Sequence, residues 1–266
     1  MRSEWSDIMK NKVLMILCDG LRPEAVEKCG NEFAKKLMST AYYNPDAQTV
    51  FPSYTLPCHV SLFTSRTPDE HKVTTNTFVH GERKGLFDQL KDNGKTTAFF
   101  YSWGELKDLY QPYSLCYSKF VSETFMDAEP LAELLEEDCE NFIEKYLPDF
   151  AFLYLETTDT VGHISGWGSE EYYAAANHSF GLIEKVMAKL PEDYSVVILA
   201  DHGGHEFTHG SLDPIDMTIP LFIKTDFAID EENFKNANII DVAPTICDII
   251  GIPSSKEWKG KSLIAK

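Results

Sequence analysis

Five short runs of this chain are apolar or aromatic at nearly every position: 13–18 (VLMILC), 97–101 (TAFFY), 150–155 (FAFLYL), 195–200 (SVVILA) and 220–223 (PLFI). A strand with one wet face alternates polar and apolar residues. These do not alternate, so both of their faces must be covered, as in a buried parallel sheet. The covering elements are legible between them. Segment 130–147 carries apolar residues at 131, 134, 135, 139, 142, 143, 146 and 147, a helical spacing with an acidic outer face. Segment 169–190 reads likewise, with Ser169 and Glu171 as its acidic N-terminal start. Strands alternating with helices predict an α/β fold with a mostly parallel central sheet sandwiched by helices.

No Pro/Gly/Ser-rich linker and no repeat divides the 266 residues, so residues 1–266 are expected to form a single domain. The least regular stretch, 103–126, reads either as a small excursion over the active site or as an ordinary connection. The net charge of -18 excludes a long nucleic acid as partner and an anionic membrane surface, because both bind through clustered Lys and Arg. No apolar stretch approaches the roughly 20 residues of a membrane span, and the acidic N-terminal residues ahead of a six-residue apolar run do not read as a secretory signal. The six cysteines are scattered without a C-x-x-C pair and read as reduced, mostly buried thiols, which places the expected location in the cytoplasm.

In open α/β sheets ligands gather at the carboxyl ends of strands. Here Asp19 follows the first apolar run, Asp159 and His163 follow the third in D-x-x-x-H spacing, and Asp201-His202 follow the fourth, with His209 in the same loop (DHGGHEFTHG). One such Asp is ordinarily a helix cap and one such His a surface group. Three carboxylates and three imidazoles from three strand ends are instead a mixed O/N donor set that suits zinc or manganese rather than magnesium or calcium. A second element is Thr55-Leu56-Pro57-Cys58-His59. Pro57 fits the first turn of a helix, where a missing N–H costs nothing. Thr55 would then stand at the helix mouth beside free N–H groups and the positive dipole end, either as a simple cap or as a nucleophile that must hold a phosphate. Ser53 is a weaker candidate for the same role.

Taken in order, Asp19-Gly20-Leu21-Arg22, Thr55-Leu56-Pro57-Cys58-His59, Asp159-x-x-x-His163, Asp201-His202-Gly203 and His209-Gly210 resemble the alkaline phosphatase superfamily, most closely its type I phosphodiesterase/nucleotide pyrophosphatase branch. The tail Asp241-Val242-Ala243-Pro244-Thr245 and Gly260-Lys261-Ser262-Leu263 extends the resemblance to about residues 12–264. The resemblance implies two divalent metal ions, zinc or manganese: one held by Asp159, His163 and His209, the other by Asp19, Asp201, His202 and the Thr55 hydroxyl. It implies a threonine nucleophile, a phosphothreonine intermediate, and a small phosphorylated, nucleotide-like substrate cleaved at a phosphodiester or pyrophosphate bond. A phosphomonoesterase, a phosphonate hydrolase and a non-catalytic metal- or nucleotide-binding protein are the alternatives. A phosphomutase would need a large cap for which the chain has no room, and a sulfatase would need Arg where His59 stands.

The chain departs from the branch at Cys58, where Asn is usual, which makes Cys58 a candidate substrate contact with a poorer donor or else a packing residue. Lys72 departs too, in His71-Lys72-Val73, and is read as structural. His205 forms H-x-x-H with His202 and is expected near the substrate rather than on a metal. Arg22 is expected in a surface ion pair, and His80 and His178 on the surface. Gly260-Lys261-Ser262 lacks the first glycine and the preceding strand of a phosphate-binding loop and is rejected as one.

Overall fold

The computed structural model describes residues 11–77, 84–111 and 113–266; the N-terminal residues read above for a secretory signal, and His80, lie outside them. Seven strands form one sheet: β1 (Lys12–Cys18), β2 (Tyr42–Gln48), β3 (Thr97–Tyr101), β4 (Tyr117–Phe120), β5 (Phe150–Leu155), β6 (Tyr194–Leu199) and β7 (Thr218–Lys224). Their order is β2-β7-β6-β1-β5-β3-β4. Every pairing is parallel except those of β7, which runs antiparallel to both β6 and β2. The fold is thus α/β with a mixed, mostly parallel sheet, and the five apolar runs are its five inner strands.

Helices cover both faces. The long pair is α6 (Ala128–Tyr146) and α8 (Glu170–Lys189); before and between them come α1 (Pro23–Lys28), α2 (Glu32–Thr40), α3 (Thr55–Thr64), α4 (Pro68–His71), α5 (Leu86–Asp92) and α7 (Thr157–Ser165). Three more follow: α9 (Pro214–Met217), α10 (Glu231–Lys235) and α11 (Val242–Ile250). Ser169 caps α8 as its sequence suggests, accepting from the Tyr172 N–H at 3.1 Å. Among the described residues no helix is long and apolar enough to cross a membrane.

Two strands lie outside the apolar runs, at the two sheet edges. β2 carries Pro45, which has no N–H to donate, and its ladder with β7 shifts register between Asn44 and Ala47. Segment 103–126 folds into a 3₁₀ turn, Gly104–Leu109, and the edge strand β4, which pairs with β3. An edge strand wet on one side lacks the continuous apolar signal of an inner one.

The site owes its position to register. β6, β1 and β5 are neighbours, with Leu17 opposite Leu199 and Cys18 opposite Leu155. The residues that leave these strands therefore emerge side by side at one edge, at the centre of the sheet. Helix α3 is fastened below that edge by aromatic packing: Phe63 lies on Phe87 (5.0 Å between centroids) and edge-on to Phe152 of β5 (5.1 Å).

Candidate active site

Asp19 follows β1 directly, Asp159 and His163 stand one turn apart on α7 just after β5, and Asp201-His202 open the loop after β6. The same loop returns His209, whose ring stacks on that of His202 at 3.8 Å. Close approach at this edge depends on Gly20: its φ is +64°, and a Cβ there would lie 3.1 Å from the Asp159 Cα.

All three imidazoles are oriented in the same way. The Nδ1–H of His202 donates to the Gly203 carbonyl (2.7 Å), that of His209 to Ser53 (3.0 Å) and that of His163 to Phe207 (2.9 Å). A carbonyl can only accept, so each Nδ1 carries a proton, and the His202 and His209 rings, kept neutral by burial, turn an Nε2 lone pair inward. What those lone pairs meet is more lone pairs. His202 Nε2 lies 3.3 Å from both Asp19 Oδ1 and Asp201 Oδ2, His209 Nε2 lies 3.7 Å from Asp159 Oδ1, and His163 Nε2 lies 3.5 Å from Asp159 Oδ2. Asp19 Oδ1, Asp159 Oδ1 and Asp201 Oδ2 are buried without any hydrogen-bond partner.

Acceptors that face acceptors in a buried site repel unless a cation lies among them. Their titration carries the same message. Burial, reinforced by the neighbouring Asp201 and Asp159 charges, holds the Asp19 carboxyl well above the usual range. Burial and then Asp201 do the same to Asp159, and burial raises Asp201. Burial pushes His202 down to about 4 and, with His202 beside it, His209 down to about 3. Two sets of donor atoms are close enough to share an ion: Asp19, Asp201 and His202, and Asp159, His202 and His209. His163 joins the second through Asp159. This oxygen-and-nitrogen set fits a pair of divalent ions.

Thr55 is the first residue of α3, and its Oγ1 lies 3.2 Å from His202 Nε2, beside the first donor set. The hydroxyl of Ser53 is committed to the Ser211 carbonyl at 2.9 Å, while the Ser53 carbonyl orients His209. Cys58 is fully buried; its sulfur accepts from the Thr49 hydroxyl (3.2 Å) and faces the Val50 and Pro52 carbonyls, none of them in the carboxylate–imidazole cluster. His205 stays partly exposed on the loop, its Nδ1 held by the buried Asp216 carboxylate at 2.8 Å, which raises its pKa. Arg22 pairs with Glu24 and donates to the Gly204 carbonyl (3.3 Å), and His178 pairs with Glu133 at 3.2 Å.

Three residues at the site receive no role from the sequence, although His59 stands in the Thr55 motif. Asn76, from the segment after α4, accepts the Leu56 N–H through Oδ1 at 3.0 Å, bringing an amide to the helix mouth next to Thr55. His59, fully buried one turn beyond Thr55, donates Nδ1–H to the Thr55 carbonyl at 2.8 Å and lies 3.6 Å from Asp201 Oδ2. Tyr154 of β5 donates its hydroxyl to Asp19 Oδ2, leaving Oδ1 to face His202. Only His59 had a visible signal, the i, i+4 spacing that puts it on the Thr55 face of the helix.

Comparison with known proteins identifies the family of the chain. The family model described as type I phosphodiesterase / nucleotide pyrophosphatase matches residues 13–216. A 2,3-bisphosphoglycerate-independent phosphoglycerate mutase of Prochlorococcus marinus is 27% identical over 185 residues, covering 63% of this chain and 33% of the mutase. Human ectonucleotide pyrophosphatase/phosphodiesterase family member 1 is 25% identical over 223 residues, covering 71% of this chain and 23% of the relative. The chain thus spans about a third or less of the length of these relatives. Among solved structures, murine ectonucleotide pyrophosphatase / phosphodiesterase 5 in complex with AMP superposes with a TM-score of 0.76 at 14% identity, covering 96% of this chain and 100% of that one. With a family match across most of its length, the chain belongs to the type I phosphodiesterase/nucleotide pyrophosphatase family of the alkaline phosphatase superfamily.

Proposed function

We propose that the protein is a two-metal hydrolase of phosphodiester or pyrophosphate bonds in a small nucleotide-like substrate, with Thr55 as nucleophile. The observation that carries this reading is the inward-facing set of Nε2 lone pairs and unpartnered carboxylate oxygens with the Thr55 hydroxyl at its edge. Asp19, Asp201 and His202 with Thr55 would hold one divalent cation, and Asp159, His163 and His209 the other. Two bound zinc or manganese ions would supply Lewis acidity, acidifying the threonine hydroxyl and neutralising charge on the phosphoryl oxygens. Three carboxylates against two dications leave about +1, enough to attract an anion to a protein of net charge -18.

Thr55 Oγ1 forms a bond to phosphorus as the ester or anhydride P–O bond opposite it breaks. The phosphothreonine that results still bears the substrate's other group; water bonds to its phosphorus as the P–Oγ1 bond breaks, and a water proton goes to Oγ1 in place of the one the leaving group carried off. The Asn76 amide, anchored through Oδ1 by the Leu56 N–H, keeps its NH2 as a donor at the helix mouth, and the stabilisation it would give a non-bridging phosphoryl oxygen is electrostatic and preorganised. His59 fixes the first turn of α3 from behind. Six unpaired cysteines support a reducing compartment such as the cytoplasm.

The test is hydrolysis of bis-p-nitrophenyl phosphate against p-nitrophenyl phosphate by metal-stripped protein resupplied with zinc or manganese. Diester cleavage should depend on metal and fall by at least about a thousandfold in Thr55→Ala. Faster monoester cleavage would move the protein to the phosphomonoesterases. Metal-independent turnover, or turnover unchanged in Thr55→Ala, would overturn the mechanism.

A further inference from the structure

Trp167 stands just after α7 and is 7% exposed. A buried tryptophan is ordinarily packing, and this one is continuous with the core. Its other contacts are with the site. The indole is edge-on to the His163 ring, 4.9 Å between centroids, and to the His209 ring at 5.8 Å. Two backbones close on its fused bond. A Cβ on Gly162 of α7 would lie 2.5 Å from Cε2, and one on Gly204, in the loop after β6, 2.3 Å from the same atom. Neither place admits a side chain while the indole is there. The ring is thus a spacer between the helix that carries Asp159 and His163 and the loop that carries His202 and His209.

The backbone repeats the connection. The Trp167 N–H donates to the Glu206 carbonyl at 2.8 Å, and the next carbonyl, that of Phe207, receives the Nδ1–H of His163 at 2.9 Å. Glu206 holds φ at +47°, a conformation that a non-glycine residue keeps only where its surroundings impose it. Whatever places Trp167 therefore also places the carbonyl that aims His163. The first donor set is fastened differently. Gly20, whose N–H donates to Asp201, accepts the indole Nε1–H at its carbonyl (2.9 Å), but that carbonyl also accepts the Tyr172 hydroxyl at 2.9 Å. Loss of the indole leaves the Gly20 peptide held, and Asp19 keeps its own anchor in Tyr154.

Resting on the two-metal reading above, we propose that Trp167 is a positioning residue for one ion of the pair. It sets the spacing of His163 and His209, so the ion they share with Asp159 depends on it, and the ion held by Asp19, Asp201 and His202 does not.

Zinc titration of metal-stripped protein separates the two sites when affinity is read by competition with a chromophoric chelator and occupancy by the imidazole nitrogen resonances. Wild type should take up two ions and shift the Nε2 signals of His163, His202 and His209. In Trp167→Phe, which keeps a smaller apolar ring, one ion should bind within about threefold of wild type and the other about ten- to a hundredfold more weakly. His202 should then shift with the first ion, and His163 and His209 only when zinc is in excess. Gly162→Ala makes the same test with the indole present and decides it should Trp167→Phe not fold. Alanine favours the helix, and its methyl displaces the ring, so the same ion should weaken. Equal weakening of both ions, or two ions bound as in wild type, would make Trp167 a packing residue and overturn the inference while leaving the two-metal site in place. Wild type that binds no zinc would overturn the two-metal reading itself, and the inference with it.

Discussion

At the residue scale the cluster works through a division of labour within each carboxylate. Asp19 spends Oδ2 on the Tyr154 hydroxyl and Asp201 spends Oδ1 on the Gly20 N–H (3.2 Å), so each presents one remaining oxygen to His202. Fixing one oxygen from behind sets the orientation of the other, as outer-shell partners do at metal sites. Tyr154→Phe removes that single hydroxyl from a fully apolar stretch of β5 and leaves the ring in place. It should weaken zinc binding by about ten- to a hundredfold, measured by competition with a chromophoric chelator, with the far-ultraviolet circular dichroism unchanged. Unchanged affinity would show that Asp19 is held by the backbone alone. This is also where the chain was least readable. Asp19, Asp159 and Asp201 announce themselves because each follows an apolar run, but Tyr154 is itself one of the apolar-run residues, indistinguishable in sequence from a packing aromatic. Asn76 reaches the Leu56 N–H across 20 residues of chain, through a turn that no local pattern encodes.

At the element scale, burial on both faces is what made β1, β3, β5, β6 and β7 legible, and its absence is what hid β2 and β4. Helix α3 was legible for a different reason: Pro57 can stand only in a first turn, and the turn it defines begins at Thr55. The α6–α8 pair shows a cost that periodicity does not reveal. Glu136 lies on the apolar side of α6, 4% exposed, with Oε1 unpartnered. Burial, and then the nearby Glu140, pushes its carboxyl up to about 7 from 4.5. A carboxyl raised in the folded state favours folding while protonated, and that contribution is lost as the pH climbs from about 4.5 through 7. Glu136→Gln removes the loss. Relative to wild type, the variant should gain about 1–2 kcal/mol between pH 5 and 8, allowing for partial solvent screening, when both are unfolded by urea in the metal-loaded form. A gain that stays flat with pH would place the charge of Glu136 in water instead.

At the scale of the whole molecule, the sheet brings three carboxylates together inside a protein that already carries a net charge of -18. Without a cation the fold can keep them buried only by holding protons on them: burial raises all three, and the neighbouring carboxylate charge adds to it at Asp19 and Asp159. His202 and His209 do not share that titration, because burial pushes them down to about 4 and about 3 and they stay neutral above those values. The sign follows from the carboxyls. A group whose folded pKa is raised stabilises the fold below its unfolded pKa and loses that contribution as the pH rises through the folded one. Metal-stripped protein should therefore lose stability as the pH rises. Metal-loaded protein has already exchanged those protons for cations and should escape that loss. The gap in Tm between zinc-loaded and chelator-treated protein should widen from pH 5.5 to pH 8, read by scanning calorimetry at fixed free zinc. At a hundredfold excess over Kd the gap should reach about 5–8 °C, since about 2.7 kcal/mol of linkage acts on a chain of this size. A gap that is constant with pH would mean that the ions displace no carboxyl protons, and one that narrows would mean that the carboxylates are not the ligands. Either result would separate the charge cluster at the centre of the sheet from the metal chemistry attributed to it.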